Sequence, residues 1–337
     1  MNNCTKQRGL VILSMLAIVL FGYPFHKAEA LSLSPVRLEL KGNPGDTITE
    51  EILLTNETST PQTFYSSFAN FEAQGETGNP SFVDPKEGLG TWMNIVSSVV
   101  LPPNASKEVP FSIKIPNNAE PGGHFAVVFF GDTPKEKTDQ LAIGSQTGVL
   151  VLLSVNGEVK QGGGVTQFNL KDNKHFYNTL PVGFEYKFQN SGNDRIKPEG
   201  FLRIRNTFFL LAKKLDGNPV EGNILPNSTR KFDLTWVNQA RETDYVEPVN
   251  PLLDFFDDVK YQWKNFSFGL YSASLDLSFS DLKFDEGKRL FFFVFPWQLL
   301  IVVFVVLMLV YFGGGKLLKR YNQHIIKKAR AGNQLPS

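Results

Sequence analysis

Two tandem immunoglobulin-like β-sandwiches followed by one transmembrane helix are the architecture that this all-β sequence predicts, and three observations predict it. Apolar and polar residues alternate strictly over short runs, the pattern of strands with one buried face. Turn signals rich in Pro, Gly, Asn and Asp separate the runs, and after a glycine stretch the pattern begins again. Finally, Leu290–Gly315 carries no charged residue and is followed at once by a basic tail.

Lys6 and Arg8 precede an apolar stretch from Leu10 to Phe21, and Ala28-Glu29-Ala30 is a small-x-small cleavage signal, so residues 1–30 read as a signal peptide. An uncleaved anchor is the other reading, and it gives the same topology. Cys4, the single cysteine, lies before the apolar stretch, so the exported part has no disulfide to brace it. Hydrophobic burial alone must hold about 260 residues, ample for two domains.

The first sandwich is expected over residues 31–160. Val36, Leu38 and Leu40 alternate with Arg37, Glu39 and Lys41, and Val109, Phe111, Ile113 and Ile115 with Glu108, Pro110, Ser112 and Lys114. Pro110 cannot donate to a ladder, which places that strand at an edge or a bulge. Phe125–Phe130 is apolar on both parities, as in a strand covered on both faces. Asn43-Pro44-Gly45-Asp46, Pro102-Pro103-Asn104 and Glu120-Pro121-Gly122-Gly123 are the intervening turns.

Residues 161–164, with Gly162-Gly163-Gly164, read as the hinge, and residues 165–289 as the second sandwich. Here Val182, Phe184, Tyr186 and Phe188 share one face; so do Phe232, Leu234 and Trp236, and then Tyr271, Ala273, Leu275, Leu277 and Phe279. One helix interrupts the strands. Asn250 is its cap, Pro251 opens its first turn, and Leu252, Phe256, Val259 and Trp263 fall on one side. That face is expected to cover an open end of the sandwich; the other reading, a stretch dipping into the nearby membrane surface, is disfavoured because Asp254, Asp257 and Asp258 would be repelled by anionic lipid.

Residues 290–315 are long enough to span a bilayer, with contact to lipid through Leu290–Phe312 and Gln298 as the only strongly polar side chain. Trp297 and Tyr311 sit near the two headgroup levels. The tail, residues 316–337, holds six basic residues and no acidic one, which puts it in the cytoplasm and the sandwiches outside a cell membrane crossed once. The signal carries three basic residues and one acidic. Of 34 basic and 33 acidic residues, 25 and 32 therefore remain outside, a net −7 that disfavours nucleic acid as a partner.

No catalytic constellation is legible. The exterior has two histidines, His124 and His175, and no cysteine, which excludes a Cys–His nucleophile and thiolate metal sites. Gly144-Ser145-Gln146-Thr147-Gly148 is out of register with a nucleophile elbow, and no zinc-helix or phosphate-loop motif is present. Asp276, Asp281 and Asp285 lack the spacing of a calcium loop. The chain is therefore read as no enzyme, with no cofactor and no metal. Asn56, Asn104, Asn227 and Asn265 each open an Asn-x-Ser/Thr glycosylation pattern. Two residues stand out as ligand contacts. Trp92 lies in a loop-like stretch, where it either stacks on a sugar or plugs the sandwich end, and His124 follows the Gly122-Gly123 turn.

Ser34-Pro35-Val36-Arg37-Leu38, Pro44-Gly45-Asp46, Thr91-Trp92-Met93 and Pro116 through His124 occur in that order. In these motifs the first module resembles the N-terminal domain of the bacterial WxL-interacting protein family. The resemblance implies a non-enzymatic cell-surface protein whose first domain binds peptidoglycan and whose second contacts other surface proteins. A second resemblance, through Pro35-Val36-Arg37 and the paired sandwiches, is to pilus chaperones. It implies instead a membrane-tethered protein that binds an unpaired strand of a partner subunit, with Val109–Ile115 as the exposed edge.

Overall fold

The computed structural model describes residues 31–134, 146–240, 250–279 and 282–332. Residues 1–30, which the sequence reads as a signal peptide, lie outside this range, as do Gly144-Ser145 and Asp281. The chain divides into two compact units. One comprises the described residues up to Glu72 together with Phe82–Glu158, and the other Ala73–Ser81 with the described residues from Val159 on.

The first unit is built from β1 (Leu31–Ser34), β2 (Arg37–Gly42), β3 (Thr47–Asn56), β4 (Gln62–Gln74), β5 (Asn79–Val83), α1 (Leu89–Trp92), β6 (Met93–Ile95), β7 (Ser98–Leu101), β8 (Ser106–Lys114), β9 (Gly122–Gly131) and β10 (Gln146–Val155), except the ends of β4 and β5 between Ala73 and Ser81. One sheet runs β1-β3-β8-β6 and the other β2-β10-β9-β4-β5, with β7 also on β4. The turn into β3 follows from its residues. Asp46 N–H bonds Asn43 O at 3.1 Å, Pro44 fixes the second position, and Gly45 supplies the φ of 89° that a type II turn requires. The Asp46 carboxylate also accepts from Asn43 N and Nδ2.

Alternation places the core as expected. Ile52 and Leu54 of β3, with Val109, Phe111 and Ile113 of β8 and Ile115 just beyond it, meet Ala126, Val128, Phe130, Val149, Val151 and Leu153 of the facing sheet. Each large apolar side chain so buried is worth roughly 1.5–3 kcal/mol. The double-sided apolarity of β9 also has its reason. Phe125 and Phe129 turn to the other face, where their rings meet Phe71 at 5.8 Å and Phe82 at 5.1 Å.

Two expectations need correction here. Val36 is exposed, because the β2 ladder starts one residue later, with Arg37 opposite Leu150. The Val109–Ile115 run is not a bare edge either. β6 pairs with β8 from Phe111 to Ile113, and the stretch β6 leaves open, Ser106–Pro110, holds Lys107, Glu108 and Pro110. A proline in that stretch blunts it against an added strand.

The second unit contains β11 (Gly163–Leu170), β12 (Phe176–Tyr177), β13 (Val182–Asn190), β14 (Glu199–Asn206), β15 (Leu211–Asp216), β16 (Thr229–Trp236), α2 (Pro251–Lys264), β17 (Gly269–Phe279), β18 (Leu282–Val294) and α3 (Trp297–Gly332). Its sheets run β11-β13-β16 and β12-β18-β17-β14-β15. Val182, Phe184, Tyr186, Phe188, Phe232, Leu234, Trp236, Tyr271, Ala273, Leu275 and Leu277 are all buried in one core, as their spacing predicts.

The glycine hinge is shorter than expected. Gly163 and Gly164 already pair with Asn190 and Gln189 as the start of β11. A Cβ at Gly163 would run into the Gln189 carbonyl, so glycine serves close backbone approach there. The apolar helix also starts later than Leu290. Leu290–Val294 completes β18, with Phe292 and Val294 in the core, and the helix begins at Trp297 behind Pro296. Both parities of β18 are apolar at this end, which hid its period of two inside a longer apolar run. The helix then continues through the basic residues of the tail to Gly332.

Tyr186 is fully buried, stacks on Phe232 at 4.8 Å and donates from its hydroxyl to Gly217 O at 2.6 Å. Burial, reinforced by the Asp216 carboxylate, raises its pKa well above the usual value near 10. The folded chain keeps this proton where the unfolded chain loses it. The stability it contributes is thus intact below pH ~10 and falls as pH rises further. Thermal melts over an alkaline series should show that loss, and Tyr186→Phe should remove this part of the slope while costing about 1–2 kcal/mol at neutral pH.

Candidate functional site

The structure brings Trp92 and His124 together. The single helical turn α1 ends on Trp92 and delivers its indole to the start of β9, where the indole and imidazole centroids lie 4.6 Å apart at 51°. The Asn70 carboxamide holds α1, donating to Glu87 O and accepting from Gly90 N at 2.8 Å. His124 Nε2 shares a 2.8 Å hydrogen bond with Glu120 O, which ties the ring back to its own turn. Both rings are half-buried, and Trp92 packs on the first core. What it leaves outside is an aromatic ledge, a surface suited to stacking rather than to proton transfer or nucleophilic attack.

A second constellation, which the sequence reading missed, joins α2 to α3. Asn250 caps α2 as expected, accepting from Leu252 N at 3.0 Å. The helix then packs on the first turn of α3. Gln262, buried, donates to Gln298 Oε1, and its own Oε1 accepts from Leu299 N at 2.9 Å. Gln298 donates in turn to Asp258 at 3.2 Å, and the Phe255 and Trp297 rings meet at 6.2 Å. The one strongly polar residue of the apolar run is thereby satisfied by a segment more than thirty residues away in sequence. Its presence in that run was the only signal.

This packing corrects the expected role of α2. Leu252, Phe256 and Trp263 face outward and are exposed instead of closing the sandwich, while Val259 on the same face is half-buried.

A polar cleft of about 260 Å³ lies at the end of the second sandwich where β14 begins, lined by Lys197, Glu199, Phe201, Asp216, Asn218 and Glu221. Lys197 and Glu221 pair across it at 2.7 Å. Among the described residues no group of three or more His, Cys, Asp or Glu is placed to hold a metal.

Two of the four glycosylation patterns are structural instead. The Asn56 and Asn265 side chains are buried. Asn56 donates to Thr60 O, Leu101 O and Pro102 O and accepts from Thr58 N. In the second sandwich Asn190 repeats the device at the end of β13, donating to Asp194 O and Ile224 O and accepting from Gly192 N.

No family model matches the chain, and no curated protein matches it. Among solved structures it is similar to the class 5 fimbriae chaperone CfaA, at 14% identity over 79% of this chain and 100% of that one, with a TM-score of 0.36. It is also similar to the E. coli chaperone DraB, at 12% identity over 79% of this chain and 98% of that one, with a TM-score of 0.33. For the CsuC–CsuE pre-assembly complex of Acinetobacter baumannii the figures are 10%, 78%, 98% and 0.36. These likenesses are loose, and the sandwich fold rests on the strand pairing itself.

Proposed function

We propose that this chain is a non-enzymatic binding protein, held at the cell membrane by α3 and presenting its two sandwiches on the outer side. The observation that carries this reading is α3. From Trp297 to Ile326 it is long and apolar enough to cross a bilayer, and only 11% of its most apolar stretch is buried. Beyond its first turn, a helix that is apolar and exposed all round fits lipid as its solvent. Lys319 and Arg320 beyond the apolar part fit a cytoplasmic tail.

The partner is a protein, and main-chain pairing at a sheet edge is the mode the fold supports. β15 is a six-residue strand with β14 as its neighbour on one side, and it ends the five-stranded sheet among the described residues. Strand addition to such an edge supplies affinity through backbone hydrogen bonds and leaves specificity to alternate side chains.

The Trp92–His124 ledge favours a second reading, in which the first sandwich stacks on the sugars of peptidoglycan. One experiment separates the two. The full chain in detergent is offered extracted surface proteins and, in parallel, washed insoluble wall. We expect one dominant captured protein, which a photo-crosslinker at Ala212 also captures and one at Asn104 does not. Co-sedimentation with wall that is lost in Trp92→Ala, with an unchanged melting profile, would put the wall reading in its place.

A further inference from the structure

We infer that the end of the second sandwich from which α3 emerges is itself a lipid-binding surface, seated in the outer face of the bilayer that α3 crosses. The inference rests on the reading of α3 as a bilayer span and adds a peripheral contact to it.

Sheet register brings the elements concerned to one end. β14 finishes at Asn206 opposite Tyr271, and β17 starts with Gly269 and Leu270 opposite Val294 and Phe293. The β14–β15 turn, the α2–β17 junction and the end of β18 therefore lie side by side, two residues from the start of α3.

Each of these elements exposes apolar side chains. In the β14–β15 turn, Phe208 is 80% exposed and Phe209 70%, with Leu210 and Leu211 also outside. This turn is built to hold that display. Asn206 Oδ1 accepts from Phe208 N at 3.0 Å and from Leu210 N at 3.1 Å, and Asn206 O accepts from Phe209 N at 2.8 Å. Phe209 sits at φ 59°, a conformation bulky residues avoid. Beside it, Phe268, Phe293 and Phe295 form a ring chain with centroids 6.0–6.3 Å apart. On α2, Leu252 is 66% exposed and Trp263 69%, and Phe256 shares their face.

The charges agree with this placement. At 3.6 residues per turn, Asp254, Asp257 and Asp258 fall on the side of α2 away from the Leu252–Phe256–Trp263 stripe. Asp258 is engaged by Gln298, so the carboxylate nearest α3 is not turned toward lipid. The repulsion expected from the sequence therefore acts away from the membrane. What meets the surface is a rim of Phe, Leu and Trp, the residue types of interfacial helices and aromatic belts. Continuity decides the occupant. Gln262 and Asp258 of α2 bond Gln298 and Leu299 of α3, at the depth where a span starting at Trp297 enters the headgroups.

The test uses the full chain with Cys4→Ser, reconstituted in phosphatidylcholine–phosphatidylglycerol vesicles. Nitroxide labels are placed singly at Phe208→Cys, Phe256→Cys, Glu199→Cys and Val305→Cys, and their collision rates with oxygen and with a water-soluble nickel chelate are compared. The expected oxygen-to-nickel ratio is highest at Val305, several-fold above the Glu199 value at Phe208 and Phe256, and lowest at Glu199, which lies at the opposite end of β14. Water-like ratios at both Phe208 and Phe256, with Val305 in lipid, overturn the surface contact and leave the span intact. Shielding of both positions from both reagents means that protein, such as a second copy, covers the rim, and also overturns it. A water-exposed Val305 overturns the span and the surface contact together.

Discussion

Asn190→Ala should lower the unfolding free energy of the second sandwich by about 3 kcal/mol, from two lost hydrogen bonds and one buried N–H left without an acceptor. The side chain is fully buried at the end of β13. Ile224 O keeps the bond from Ile196 N, so its loss is the milder one. Gly192 N–H is the group with most at stake, since Asn190 Oδ1 is its partner and the residue is buried. Aspartate is no substitute: it keeps an acceptor for Gly192 but turns a second oxygen toward the carbonyls of Asp194 and Ile224, with a charge that burial penalises. Asn56→Ala should act alike in the first sandwich, where the amide is shared among three carbonyls. Calorimetry of the full chain checks both, and a loss under 1 kcal/mol would show that water replaces these side chains without strain.

Ending the chain after Pro296 should move it entirely from the carbonate-resistant membrane fraction to the supernatant. Each Leu, Ile, Val or Phe near the middle of a span favours insertion by about 0.3–0.6 kcal/mol. Leu299–Val310 is an unbroken run of aliphatic residues, Met308 and Phe304, so the contributions accumulate to several such increments. One acidic residue at mid-span costs ~2.5–3.5 kcal/mol on the same scale. Val305→Asp should therefore weaken anchoring without abolishing it, whereas the truncation abolishes it. The rim proposed above is too small to hold the protein alone against alkaline extraction. Carbonate resistance of the truncated chain would place the anchor elsewhere and remove the basis of the membrane reading.

The strands were legible because a half-buried strand in water writes its own period. Val182-Phe184-Tyr186-Phe188 and Val109-Phe111-Ile113-Ile115 allow only one side to be apolar, and each run is buried as its spacing says. Asn250 and Pro251 were legible for a similar reason, since a helix start has local hydrogen-bonding needs that a local residue meets. Trp92 and His124 were picked out separately, by their place in a loop-like stretch and after a Gly-Gly turn. Their meeting at 4.6 Å joins residues thirty-two apart in the chain and could not be read from spacing.

Composition and periodicity by themselves determined that the chain is two sets of strands and one apolar rod, because both follow from which side chains water rejects. Tertiary structure alone decided where that rod begins, what Gln298 bonds to, and that α2 shows its apolar side outward. These depend on long-range partners: β17 claims Leu290–Val294 for a sheet, and Gln262 satisfies an amide that would otherwise be costly beside lipid.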